Sequence, residues 1–447
     1  MDPVALTRKD VFLRAWPLVF ANAAVPLAGV VDTFVLGIAG DETDLGGVAL
    51  GAALFSAVYW SFYFLRMGTT GLTSQADGAG DEAEVQRSLI RALVLGVAIG
   101  ALIMALQGVV SGIGFSILQG GDAVEANGAH YFHARAWGAI GAFGVFAITG
   151  WLIGLGRSTE TLMIHGLISL VNIVLDLWFV LGLGYAAGGV GAATAIAEWS
   201  GLLLGLVFVL RVIPQRGGWC ADIFNRARLL DPAALRKMID VNANLMIRTF
   251  AMLIGFTWFA NAGARQGAAV LAGNHVLLQV ITVTAFVLDA FAYVSETESG
   301  RAVGQKSVRR LRRALILTSE QALATGAIFA ILLLGWGDDV LRLVIGDEDA
   351  RREAIRYLPW CAVVPLMGAM AWIFDGIFIG ATHTRAMRNA MVVAVAIYVG
   401  AVTVLLPAYG NHGLWGALMV LNLARAATLA LRYPALERAA TGRGHRP

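Results

Sequence analysis

Twelve long apolar runs constrain this chain more than any other feature. They fall at about 12–39, 46–72, 88–118, 129–155, 161–184, 188–213, 238–263, 269–295, 313–336, 357–380, 386–408 and 412–433. A helix needs roughly 20 mainly apolar residues to cross the hydrocarbon core. Only helices and closed barrels satisfy every backbone polar group in lipid. Barrel strands would show about ten-residue alternation instead of unbroken runs. The predicted fold class is therefore an all-α polytopic membrane protein with twelve transmembrane helices. Composition agrees: 58% of residues are hydrophobic, 14% are charged, and the mean hydropathy is +0.71. A soluble domain carries about 25% charged residues. Cytoplasmic enzymes, disulfide-rich secreted scaffolds and nucleic-acid modules are excluded. Cys220 and Cys361 make no disulfide framework and read as free thiols.

The first run follows Arg8, Lys9 and Arg14, and Ala21-Asn22-Ala23 resembles a cleavage site. The run continues to Ala39, beyond a signal-peptide core of about 7–15 residues, so it reads as a retained first span. Basic residues set the orientation. With the N-terminus inside, twenty-four of the 33 Lys and Arg fall on the cytoplasmic side and five on the outside. Both termini are then cytoplasmic. Asp231-Pro232 in the basic linker 214–237 looks like a helix start. The charged external segment 338–356 reads as a short interfacial helix.

The halves repeat. Ala136-Trp137 aligns with Pro359-Trp360 at an offset of 223, and Arg91-Ala92-Leu93 with Arg313-Ala314-Leu315 at 222. Tyr185, Gly189 and Ala193 align with Tyr409, Gly413 and Ala417 at 224. Six spans per repeat give both halves the same topology, as in transporters whose halves are related by an axis along the membrane normal. The expected domains are an N-lobe at 1–213, a cytoplasmic linker at 214–237 and a C-lobe at 238–447. They form two pseudo-symmetric six-helix bundles around a central cleft.

Ionisable side chains inside spans cost about 2.5–3.5 kcal/mol and mark ion or proton paths. Span 1 has Asp32, span 5 has Asn172 and Asp176, and span 6 has Thr194 and Glu198. Each of the last two pairs is four apart and shares a helix face. Two carboxylates with an amide and a hydroxyl offer the oxygen ligands of a hard cation. A carboxylate buried away from positive charge also holds a proton more readily than one in water. The other reading is plain interhelical hydrogen bonding, open above all for Thr194 and Glu198. In the second half Asn244 and Arg248 share a face of span 7. Span 8 carries His275, Gln279, Thr282, Phe286 and Asp289 in one stripe, and span 10 has Asp375. Glu198, Arg248, Gln279, Asp289 and Asp375 make up a further polar cleft. Arg248 pairs with Asp289 or Asp375, and Arg66 and Asp289 occupy equivalent places in the repeat. Pro17 and Pro26 precede Asp32 and mark either a hinge or a static bend. Phe34, Trp178, Phe286 and Trp372 are apolar candidates for drug contact.

These residues resemble the multidrug and toxic compound extrusion (MATE) family, in the branch named after the DNA-damage-inducible protein F. The resemblance rests on Val31-Asp32-Thr33 with Gly37, on Asn172 with Asp176, and on Gly189-Val190-Gly191-Ala192-Ala193-Thr194. Asp375-Gly376 and Gly380-Ala381-Thr382 complete it. It implies a monomeric antiporter that exports organic, cationic or lipophilic compounds by rocker-switch alternating access, driven by H⁺ or Na⁺. It places the cation seat on Asp32, Asn172, Asp176 and Thr194, with no cofactor and no metal other than a possible Na⁺ there. Its partners are small organic substrates and membrane lipid, not nucleic acid. Asp375 matches a C-lobe acid of the NorM-type branch, whose seventh-span glutamate has no counterpart here. That directs coupling to the N-lobe, with H⁺ ahead of Na⁺. The alternative is a lipid-linked oligosaccharide flippase, which would need several basic residues in the cleft. Enzyme motifs such as His-Glu-x-x-His or Gly-x-Ser-x-Gly are absent.

Overall fold

Apolar runs that must satisfy their own backbone in lipid become helices, and the described chain contains helices and no strand. The computed structural model describes residues 6–39, 41–118 and 120–441. Arg443 and Arg446 of the basic C-terminal tail lie outside them. The first run is α1 (Arg8–Ala39), continuous through Pro17 and Pro26. The second is α2 (Glu42–Phe62) and α3 (Phe64–Ala79), broken only at Tyr63, and the third is α4 (Glu82–Leu118). The fourth divides into α5 (Asp122–Ala136) and α6 (Ala139–Gly154), which meet at 54°. The fifth is α7 (Ser158–Asp176), which widens into a π-helical turn over Leu177–Gly182. α8 (Ala187–Gln215) is the sixth, and the short α9 (Arg226–Leu229) lies in the linker. The second half runs α10 (Pro232–Ala264), α11 (Ala268–Gly304), α12 (Val308–Val344), α13 (Glu348–Gly380), α14 (Thr384–Tyr409) and α15 (Asn411–Ala440).

Among the described residues ten helices, counting α2 and α3 together, are long and apolar enough to cross a membrane, and the α5–α6 pair makes an eleventh. α12, with Thr318-Ser319-Glu320-Gln321 inside it, fills the expected ninth run. The helix start at Asp231-Pro232 is present, with the Asp231 carboxylate accepting from the amides of Ala233 and Ala234. The interfacial helix expected at 338–356 is not. Residues 338–344 continue α12, and α13 begins at Glu348, capped by Asp347, whose carboxylate accepts from the Ala350 amide at 2.7 Å. Local capping there outweighs the charge pattern that suggested a separate element.

Two compact units divide the chain. One comprises residues 20–76 and 81–236, the other 1–19, 77–80 and 237–447; they are called here the N-terminal and C-terminal units. The division passes through α1, between Pro17 and Pro26. Charge explains the outlying pieces. Glu298 is fully buried and accepts from Arg14 at 2.5 Å, Arg301 at 3.2 Å and Arg310 at 2.7 Å. Arg301 also pairs with Asp77 at 2.6 Å, and Gly78 lies against the Arg301 backbone too closely for any side chain.

The packing order repeats within each unit. In the N-terminal unit α2 packs on α5, α4 on α6, α7 on α8, and α5 and α6 on α8. In the C-terminal unit α11 packs on α13, α12 on α13, α14 on α15, and α13 on α15. Second with fourth, third with fourth, fifth with sixth and fourth with sixth is thus the shared order. Glycines permit it: Gly47 and Gly51 of α2 meet the α5 backbone at Asn127 and Gly128, and Gly376 and Gly380 of α13 meet α11 at Ala292 and Glu296. The N-terminal unit packs Trp151, Ile148 and Val212 in one cluster and Val35, Leu36, Tyr131, Val180 and Val190 in another. The C-terminal unit packs Phe259, Tyr398 and Trp415, with Asn274 and Asn411 exchanging amide hydrogen bonds at 2.8 and 2.9 Å beneath them. Large side chains such as Leu102, Val109 and Ile113 of α4 face outward, as lipid requires. Both cysteines are free.

Candidate functional site

The site in the N-terminal unit is built on three helices. Val35 and Leu36 on the next turn of α1 are fully buried against Val180 and Val190. That contact fixes the rotation of α1 and turns Asp32 toward α7. At the end of α7 Asn172 and Asp176 are buried one turn apart. The π-helical turn begins directly after Asp176. Such turns are frequent at functional sites, since they re-aim a helix face by one residue. Asn172 Nδ2–H donates to the Thr194 hydroxyl at 3.2 Å, and that hydroxyl donates to the Val190 carbonyl at 3.0 Å. Asp32, Asn172, Asp176 and Thr194 are thereby brought to one place.

The carboxyls of Asp32 and Asp176 face each other within side-chain hydrogen-bonding reach. Two ionised carboxylates have acceptors and no donor. In that state both Asp176 oxygens and Asp32 Oδ1 are buried without a hydrogen-bond partner. No ion pair within 4.0 Å holds either acid among the described residues. Arg135 acts on Asp32 electrostatically, but its ion pair is with Glu198 at 3.8 Å. One proton would supply the missing donor. A Na⁺ would need the Asn172 carbonyl and the Thr194 hydroxyl oxygen to complete its shell, since it prefers several oxygen ligands.

Glu198 lies one turn beyond Thr194 in a second cluster. Its Oε2 accepts from the Tyr59 hydroxyl at 3.3 Å. Arg135 donates to the Tyr131 hydroxyl at 2.6 Å and lies over the Phe55 ring at 4.2 Å. Gly138, at the α5–α6 break, makes room: a Cβ there would strike Glu198 Oε2 and the Ala195 backbone. Arg135 stands out in the sequence as one of four arginines inside or at the ends of spans, but Tyr59 and Tyr131 do not. Tyr131 and Arg135 stand four apart on α5, a visible signal, but pairing them with Glu198 needs the packing of α5 on α8.

The C-terminal unit treats its acid differently. Asp375 Oδ2 accepts from both Arg248 and Arg425, the latter at 2.7 Å. Arg425 also donates to Asn422 at 3.3 Å and lies over the Trp372 ring at 5.7 Å. All three charged side chains are buried. Of the two partners open to Arg248, Asp375 is the one it pairs with, and Arg425 joins them. Along α11 His275 and Gln279 are exposed, while Thr282, Phe286 and Asp289 are half-buried. Phe34 and Trp178 are exposed.

Comparison with known proteins agrees with this architecture. The MatE family profile matches twice, over residues 17–178 and 245–404. The chain is 35% identical over 428 residues to DNA damage-inducible protein F of Escherichia coli K12, covering 94% of this chain and 91% of that protein. It is 26% identical over 455 residues to the multidrug resistance protein MdtK of Edwardsiella ictaluri, with 96% of each chain covered. Among solved structures, a MATE transporter in the bent conformation superposes with a TM-score of 0.87 at 18% identity, covering 97% of this chain and 96% of that one. The bent form of the Vibrio cholerae MATE transporter VcmN gives 0.86 at 15% identity, with 98% of each chain covered. These two show the fold. A profile that matches once in each half and a relative similar over nearly the whole length place this integral membrane protein in the MatE family of transporters, alongside DNA damage-inducible protein F.

Proposed function

We propose that the chain is a proton-coupled antiporter that exports lipophilic organic cations across the bacterial inner membrane. The facing carboxyls of Asp32 and Asp176 carry this reading, since their buried oxygens have no hydrogen-bond partner and no ion pair among the described residues. Asn172 and Thr194 position the pair and supply the further oxygens that a Na⁺ would need. Protonation from outside reshapes α1 about Pro17 and Pro26 and releases the drug outward. Loss of the proton to the cytoplasm restores the drug-binding state in a rocker-switch cycle. Both termini are cytoplasmic, the transporter works as a monomer in lipid, and no cofactor takes part. A pyrophosphate-lipid flippase would need free basic residues in the interior. Arg248 and Arg425 are committed to Asp375, and Arg135 to Tyr131 and Glu198.

Reconstituted vesicles test this directly. With an imposed pH gradient, wild-type protein moves ethidium against its concentration gradient, whereas a Na⁺ gradient alone does not. Asp32→Asn removes one carboxylate at constant volume and reduces pH-driven ethidium movement to that of empty vesicles, with an unchanged elution profile. Wild-type transport by Asp32→Asn would place the coupling elsewhere.

A further inference from the structure

A cavity of about 690 Å³ opens where the starts of α1 and α12 meet, both within the C-terminal unit. Arg8 and Lys9 line it from α1, and Arg309, Arg312, Arg313 and Ile316 from α12. The α12 residues recur at steps of three and four, so they form one helix face. Five cations therefore converge on a single cavity. Their partners are unevenly distributed. Arg8 pairs with Glu320 at 2.7 Å, and Arg312 makes a two-pronged contact with Glu437 at 2.7 and 2.8 Å. Arg313 Nε–H donates to the Leu6 carbonyl at 2.5 Å, a neutral acceptor. Lys9 and Arg309 have no ion pair among the described residues. Both helices begin at the cavity, and the positive ends of their dipoles add to the field. The cavity thus lacks anionic charge by more than its own glutamates supply.

Its surroundings are apolar. Ile316 is 55% exposed on the α12 face. On α1, Phe12 and Trp16 are exposed and stack at 5.7 Å between ring centroids, and Leu13 beside them is exposed too. The face of α1 that continues beyond Lys9 is therefore apolar and aromatic, a composition enriched where membrane proteins meet the lipid interface. A free phosphate would use only the cations. A phospholipid would use both, with its phosphodiester on Lys9 and Arg309 and an acyl chain along Ile316, Leu13 and Trp16. Basic pockets between helices on the cytoplasmic side recognise anionic head groups by this chemistry.

We propose that the cavity between the starts of α1 and α12 seats the head group of an anionic phospholipid from the surrounding bilayer. The occupant braces the beginning of α1, the helix that carries Asp32, against α12.

Native mass spectrometry of the full-length protein tests it, in micelles doped with equal phosphatidylglycerol and phosphatidylcholine. Wild-type protein retains phosphatidylglycerol in preference to phosphatidylcholine, and added inorganic phosphate does not displace it. Lys9→Gln/Arg309→Gln removes two unpaired surface charges and lowers the apparent affinity for phosphatidylglycerol about 30-fold. Arg226→Gln/Arg236→Gln, at exposed positions of the linker region, leaves it unchanged. Equal retention of the two lipids would overturn the proposal. So would equal loss in both double variants, which would mean a diffuse basic surface. Displacement by inorganic phosphate would identify a free anion as the ligand and reject the lipid. The phosphate competition uses wild-type protein and stands even if a variant fails to fold.

Discussion

Three aspartates in similar membrane surroundings fall into two opposite circumstances. Asp375 has two guanidiniums on one oxygen, whereas Asp32 and Asp176 face each other with no ion pair among the described residues. A carboxylate that already holds two cations cannot exchange a third without breaking a buried network. An acid pair without an ion pair can exchange a proton without breaking one. The Asp375 cluster is also one negative charge short, which fixes the sign of its mutants. Asp375→Asn leaves two buried guanidiniums facing each other and costs about 3–5 kcal/mol. Arg248→Met leaves one carboxylate with one guanidinium and costs clearly less. Thermal melting in detergent ranks them, and an Arg248→Met variant less stable than Asp375→Asn would contradict the charge count. The sequence exposed part of this. Asp32, Asn172, Asp176 and Thr194 are visible because polar residues stand out inside apolar runs, and spacing by four puts Asn172 and Asp176 on one face. The partner of Arg248 was left between two acids, and Arg425 was unassigned, because α10, α13 and α15 meet only once packed. The same holds for Arg135 with Glu198 and Tyr59.

Elements follow the hydrophobic runs closely, since each had to close its own hydrogen bonds. Departures come where packing intervenes: the 54° break at Trp137-Gly138 and the π-helical turn after Asp176. No periodicity announces either. Gly138 yields space to Glu198, and Gly191 of α8 lies against the Tyr131 carbonyl. The same contacts make glycine substitutions predictable. A Cβ at Gly376 would strike Ser295 Oγ and the Ala292 carbonyl of α11, whereas one at Gly400 of α14 meets nothing within 4 Å. Gly376→Ala should therefore destabilise by about 1–3 kcal/mol through overpacking. Gly400→Ala should stabilise by about 0.5–1 kcal/mol by removing backbone freedom from the unfolded chain. Opposite shifts in melting temperature check the pair, and a loss at both positions would mean that helix propensity and free space do not decide the effect.

At the scale of the whole molecule, the proposed seat limits the charge that can move per cycle. Asp32 and Asp176 face each other closely enough to share one proton. One proton entering while one ethidium, a monovalent cation, leaves transfers no net charge. The membrane potential then does no work on that exchange, and only the pH difference drives it. One pH unit sustains about a tenfold ethidium ratio. A neutral substrate differs, because the proton's charge is then uncompensated. One charge crossing 100 mV yields about 2.3 kcal/mol, and each tenfold ratio costs about 1.4 kcal/mol, so the potential alone sustains roughly a 40-fold gradient. Vesicles clamped by a potassium diffusion potential at equal pH separate the two cases. Ethidium should stay at equal concentrations on the two sides while an uncharged substrate accumulates. Ethidium driven by potential alone would require at least two protons per cycle, with Asp32 and Asp176 loading one each instead of sharing one between them.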